Sequence, residues 1–174
     1  MPGNIIAYKG KLPKFGEGVF VAPTATVIGD VEIGDHSSVW FSSVIRGDVY
    51  YIRIGSNTSI QDGCVLHVTT DTYATIIGSS VTMGHNVVAH GCKVGDGCLI
   101  GMGAILLDDC EVGEQSLVAA GTLVPMGMKI PPRSLVAGLP ARIKRELTPE
   151  DLARMEENWR HYVDLKNDYL EMKL

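Results

Sequence analysis

Branched aliphatic residues recur every six positions along most of this chain, and a Gly follows many of them directly. The first positions of the repeat run Val21, Val27, Ile33, Val39, Ile45, then Ile54, Ile60, Leu66, then Ile77, Met83, Ala89. A last block continues through Val94, Ile100, Leu106, Val112, Val118, Val124, Ile130 and Val136. Small residues recur at the fifth position, among them Ala25, Ser37, Cys64, Cys98, Ala104, Cys110, Ser116 and Thr122. A period of six is too short for a helical repeat and too regular for a sandwich, whereas it suits coils of three short strands joined by tight turns. The expected fold class is therefore mainly β: a triangular parallel β-helix over residues 1–142, with 1–20 as lead-in and cap. First positions point inward and stack on the coils above and below; second and third positions face outward.

After Pro140 the period changes. Thr148-Pro149-Glu150-Asp151 has the form of an N-cap, a first-turn Pro and two acids favoured by the helix dipole. Leu152, Met155, Trp159, Val163 and Leu170 follow at approximately helical spacing, which predicts one amphipathic helix over 148–172 within a C-terminal segment 143–174. Its apolar stripe needs a surface to cover, and the side of the β-helix offers one.

Three irregularities in the ladder carry the chemistry. Ile45 to Ile54 is three residues too long, Leu66 to Ile77 five too long, and Ala89 to Val94 one short. If each marks one side of the triangle, Ile45, Leu66 and Ala89 share a face, and their outward neighbours Arg46, His67 and His90 stack about 4.8 Å apart. By the same count Ile60 and Met83 stack on the preceding face, which puts Gln61 and His85 together on another side. Neutral imidazoles held outward on a stiff frame suit a metal, and catalytic zinc commonly takes three protein ligands and keeps a position for water. Since His85 lies on a different face from His67 and His90, a cyclic homotrimer would complete the set by closing a heterologous interface.

Composition narrows the function classes. A net charge of -5 with no basic run argues against nucleic acid. Every hydrophobic run is interrupted well short of a membrane span, and the start lacks a signal-like pattern, so a soluble cytoplasmic protein is expected. No two of Cys64, Cys92, Cys98 and Cys110 have the CxxC spacing of a zinc or redox site. Cys64, Cys98 and Cys110 fall at the fifth position of the repeat, which makes them small core residues.

The hexapeptide pattern resembles that of hexapeptide-repeat proteins, which implies a left-handed coil. More specifically, Ile45-Arg46-Gly47-Asp48, Ile60-Gln61-Asp62-Gly63, Leu66-His67-Val68, Gly84-His85-Asn86-Val87-Val88-Ala89-His90-Gly91 and Gly138-Leu139-Pro140-Ala141-Arg142 together resemble the γ-class carbonic anhydrase family. The resemblance implies that His67, His85 and His90 bind Zn2+, with Fe2+ or Co2+ as alternatives, across a trimer interface. It implies reversible hydration of carbon dioxide to bicarbonate, with metal-bound hydroxide as the nucleophile, since zinc brings the pKa of bound water to about 7. Gln61 would orient water or a bicarbonate oxygen, Arg46 and Asp48 would pair across the interface, and Tyr162 on the terminal helix would reach the site. Val49 and Ser59 stand where the family often has Glu and Asn, and the 69–76 segment carries only Asp71 as an acid, which places the chain with the subgroup lacking an acidic loop. The alternatives are an acyl-CoA thioesterase or acyltransferase-type hexapeptide protein and a non-catalytic metal-binding trimer.

Overall fold

The structure, a computed structural model, describes residues 3–172. Residues 1–2 of the expected lead-in and 173–174 of the terminal segment lie outside the described residues. Short strands wind into a left-handed parallel β-helix with three inward columns. On the first face Ile5, Val27, Ile45, Leu66, Ala89, Leu106 and Val124 are in register. On the second, Phe15, Ile33, Ile54, Ile77, Val94, Val112 and Ile130 align. Val21, Val39, Ile60, Met83, Ile100, Val118 and Val136 form the third. Almost all of these side chains are buried and make one continuous core. The ladder starts earlier than Val21, because Asn4–Ile6 and Lys14–Phe15 already pair in parallel with Thr26–Ile33.

The corners explain the polar letters of the repeat. His36, Asn57, Ser80, Gln115 and Arg133 all have φ between 54° and 58°, so one corner turns each time through a left-handed residue. Gly is demanded elsewhere by close approach: a Cβ on Gly55 would sit 2.5 Å from Ser79 Oγ and 2.6 Å from the Gly78 carbonyl carbon. The four thiols are buried. Burial pushes Cys64 and Cys98 up to about 12, which leaves them neutral and unreactive.

The extra residues between Ile45 and Ile54 do not form a separate loop. Val44–Ile54 is one long strand that rounds a corner alongside Thr26–Ile33, with a register shift between Gly29 and Val31 that throws Asp48 to Tyr51 outward. After the last coil, Arg142–Glu146 returns antiparallel on Ser134–Ala137, a hairpin that the repeat pattern does not announce.

Each face of the prism has a different exterior. The second carries a charge ladder in which Lys14 and Arg53 meet Glu32 at 3.0 and 3.4 Å, and Lys93 and Lys129 meet Glu111 at 3.1 and 3.2 Å. The third is covered in its early coils by the helix Pro149–Glu171. The first presents Val44, Val65, Val88, Ile105 and Leu123 in one outward column. Val65 and Ile105 there remain 41% and 39% exposed.

Thr148 caps the helix in a full capping box with Asp151, which accepts from the Thr148 amide at 3.0 Å. The buried stripe differs from the expected one. Leu170 is 44% exposed, while Lys166 is 1% exposed and Tyr162 and Tyr169 pack on Trp40. At about 100° per residue Tyr162, Lys166 and Tyr169 lie within about 40° of Met155, whereas Val163 and Leu170 stand about 60–80° to one side, so the contact line is offset from the expected stripe. No helix among the described residues is long and apolar enough to cross a membrane.

The Lys166 ammonium donates to Asn167 Oδ1 at 2.5 Å, and no carboxylate among the described residues lies within ion-pair distance. Burial lowers its pKa. In the window between that lowered value and the ordinary 10.5, the unfolded chain binds more protons, so stability rises with pH there; below it the cost is fully present. Lys166→Met is expected to stabilise the protein at neutral pH by about 1–3 kcal/mol, the range for a buried polar group left with unpaired donors, since the ammonium has three hydrogens and one partner. Denaturant unfolding followed to pH 11 checks this, since the gain should shrink as lysine loses its charge.

Candidate metal centre

The first face brings His67 and His90 together because Val65–His67 and Val88–His90 pair in parallel with the two histidines in register. Their second-position side chains emerge from adjacent coils on the same side, and the rings sit with centroids 5.1 Å apart. His67 Nδ1 lies 3.1 Å from His90 Nε2. The remaining ring nitrogens meet carboxylates: His67 Nε2 lies 3.0 Å from Asp48 Oδ1, and His90 Nδ1 lies 2.6 Å from Asp108 Oδ1. A carboxylate only accepts, so these two nitrogens carry the hydrogens and the facing pair present lone pairs. Two lone pairs aimed at each other across 3.1 Å repel unless a proton or cation is shared. Zinc bonds to nitrogen of about 2.0–2.1 Å place two tetrahedral ligands about 3.4 Å apart, so small ring movements convert this pair into a chelate. The donor set therefore fits a divalent metal.

Asp48 belongs to the outward-thrown segment and is held twice. Burial raises its pKa, but the hydrogen bonds from Arg46 and His67 outweigh that and keep the carboxyl below its usual range. Arg46 Nη1 pairs with Asp48 Oδ2 at 2.5 Å within the chain. Burial lowers the His67 pKa, favouring the neutral ring that a metal needs.

His85 stands apart. It occupies a corner column in which Phe41, Asp62, His85, Met102 and Ala120 follow one another coil by coil. Its Nδ1 lies 2.8 Å from Asp62 Oδ2, which leaves Nε2 free and outward. Among the described residues of one chain, no three His, Cys, Asp or Glu side chains converge on a metal-sized point. Gln61, 4% exposed, begins the same corner, and its side chain lies near enough to the Tyr162 hydroxyl to affect its pKa. Burial raises the Tyr162 pKa, assisted by the Asp62 charge and opposed by the Gln61 side chain. Tyr162 is positioned edge-on against Trp40, whose Nε1 donates to both Ser38 Oγ and Ser59 Oγ at 2.9 Å. Ser59, at the place of the family's Asn, thus serves the tryptophan.

The comparisons with known proteins bear on this arrangement. The pattern described as "Bacterial transferase hexapeptide (six repeats)" matches residues 13–47 and 91–125. The "Probable carbonic anhydrase" of Methanocaldococcus jannaschii is 54% identical over 147 residues, covering 84% of this chain and 92% of that protein. The mitochondrial "Gamma carbonic anhydrase 2" of Arabidopsis thaliana is 44% identical over 89% of this chain, which spans 58% of that protein's length. The chain belongs to the γ-class carbonic anhydrase family. A solved hexapeptide transferase family protein from Anaplasma phagocytophilum has the same fold, with a TM-score of 0.92 at 36% identity over 97% of this chain and 99% of that one.

Sequence reasoning had no role for Asp62 or Asp108, the partners of His85 and His90. Both are reachable by the phase count. Asp62 precedes His85 by the same 23 residues that separate His67 from His90, and Asp108 stands one coil above Gly91. What the count cannot supply is the side-chain direction at a corner. Trp40→Phe is expected to cost about 1–3 kcal/mol by leaving two buried hydroxyls without their donor. Thermal and denaturant unfolding measure it, and the loosened Tyr162 ring should appear in the near-ultraviolet circular dichroism.

Proposed function

We propose that this protein interconverts carbon dioxide and bicarbonate at metal sites between the subunits of a homotrimer. The observation that carries the reading is the facing pair of lone pairs, His67 Nδ1 and His90 Nε2, each ring backed by a carboxylate. His85 of the partner subunit supplies the third nitrogen. Rotation about an axis parallel to the β-helix preserves height, and His85 lies on the coil that also carries His90. The two surfaces that would meet are both apolar around their histidines: Val65, Val88 and Ile105 on the face, Phe41 and Met102 on the corner. With the second face charged and the third under the helix, the histidine face is the one left to bury.

Zn2+, or Fe2+ or Co2+, bound there supplies a Lewis acid that brings the pKa of a coordinated water towards neutrality. Asp48 and Asp108 orient the two imidazoles and keep their donor nitrogens free of hydrogen. Gln61 offers an amide donor and an acceptor in a desolvated corner, suited to orienting the attacking water or a bicarbonate oxygen. Arg46, partly exposed and neutralised on one side by Asp48, places positive charge at the edge of the site where the anionic product forms.

A second reading, cleavage or transfer of a coenzyme A thioester, draws on the transferase names of the matching pattern and of the solved structure. Stopped-flow carbon dioxide hydration by zinc-loaded and anaerobically iron-loaded protein is expected to exceed background and to be lost in His90→Ala. Hydration at background with both metals, together with thiol release from acetyl-CoA, would replace the lead reading by the second. The shared site has its own check. His85→Ala and the His67→Ala/His90→Ala double variant should each fail to bind metal, and mixing their subunits should restore binding at one interface of every mixed ring. No restoration after subunit exchange argues against an interfacial site.

A further inference from the structure

The His90 ring is 35% exposed, so packing alone does not hold it, and its hydrogen bond reaches residues that the proposed chemistry leaves without a role. Asp108 Oδ1 takes the His90 Nδ1 hydrogen at 2.6 Å, and the other carboxylate oxygen accepts from the Thr69 hydroxyl at 2.9 Å. Asp108 comes from the coil above, and a Cβ on Gly91 would lie 2.3 Å from its Oδ1. The glycine beside the ligand therefore admits the carboxylate.

Thr69 opens the segment inserted between Leu66 and Ile77, a turn closed by reciprocal backbone bonds between Thr69 and Tyr73 at 3.0 and 3.3 Å. The same segment ends on the buried Thr75, whose hydroxyl donates to the His67 carbonyl at 2.5 Å and accepts from the Gly91 amide at 2.9 Å. One insertion thus braces both ligand-bearing strands, through the backbone at Thr75 and through a side-chain chain at Thr69, Asp108 and His90.

We propose that Asp108, anchored by Thr69, is a positioning residue that selects His90 Nε2 as the metal-binding nitrogen and holds the ring in its coordinating orientation. The inference rests on the assignment of His67 and His90 as metal ligands. Without the carboxylate, a part-exposed imidazole rotates about its Cβ–Cγ bond and exchanges tautomers, so fewer rings present a lone pair inward and binding weakens by that fraction. Thr69 acts at one remove, by preventing the carboxylate from turning to solvent.

The test uses full-length protein, chelator competition with Zn2+, and the visible spectrum of the Co2+ form, for wild type and four variants. Asp108→Ala is expected to bind about 10–100-fold more weakly and to change the Co2+ band shape. Asp108→Asn, whose amide oxygen still accepts from Nδ1, should recover much of the affinity, and Thr69→Val should shift in the direction of Asp108→Ala by less. Unchanged circular dichroism and sedimentation would separate these effects from loss of fold. Asp108→Ala with wild-type affinity and spectrum overturns the inference and leaves the ligand assignment standing, provided His90→Ala has lost binding. His90→Ala that binds like wild type overturns both. Should Asp108→Ala not fold, Thr69→Val decides: unchanged affinity and spectrum sink the proposal.

Discussion

The register between neighbouring coils is the constraint from which the rest of the molecule follows. Side chains alternate faces along a strand, so a slip of one residue would send Leu66 and Ala89 outward and turn His67 and His90 into the core. The inward columns prevent it, because each branched or small residue is buried directly on its neighbours above and below. Parallel stacking at about 4.8 Å then does something a loop-built site does only with difficulty: it brings residues far apart in sequence to metal-chelating distance. The strands that carry the two histidines rest on a closely packed core, which fixes where their rings emerge.

Carboxylates complete what the register begins. Each of the three histidines is matched to an aspartate from the same corner or an adjacent coil: Asp48, Asp62 and Asp108. In every case one ring nitrogen is consumed by the carboxylate and the other is left available. Two of these acids sit where the ladder is irregular or leaves a face, which explains why departures from the six-residue period are tolerated. The outward throw at Asp48 and the turn at Thr69 both end in hydrogen bonds that reach one of the paired histidines or its carboxylate. The three faces divide the remaining tasks between solvent, helix and an uncovered apolar column beside the histidines.

The terminal helix shows where a pattern read from the chain loses accuracy. Its start was legible, since Thr148 to Asp151 is a local motif whose hydrogen bonds close within one turn. Its contact line was not, because which side of a helix is buried depends on the surface it meets: Lys166 is enclosed and Leu170 is exposed. Tyr169 escaped notice for the same reason, although it packs against Phe20, Phe41 and Trp40.

The strict period and its three interruptions were enough to place Ile45, Leu66 and Ala89 in one column, and so to put His67 beside His90 and His85 on another side. Local sequence suffices there because each coil repeats one backbone geometry, and counting residues is then equivalent to measuring height and face. Ring orientation, the nitrogens left facing each other, the Arg46–Asp48 pair within the chain and the Asp108 contact to His90 were decided only by the tertiary structure. These depend on side-chain torsions at corners and bulges, where the repeat is broken and a neighbouring coil determines which hydrogen bond can form.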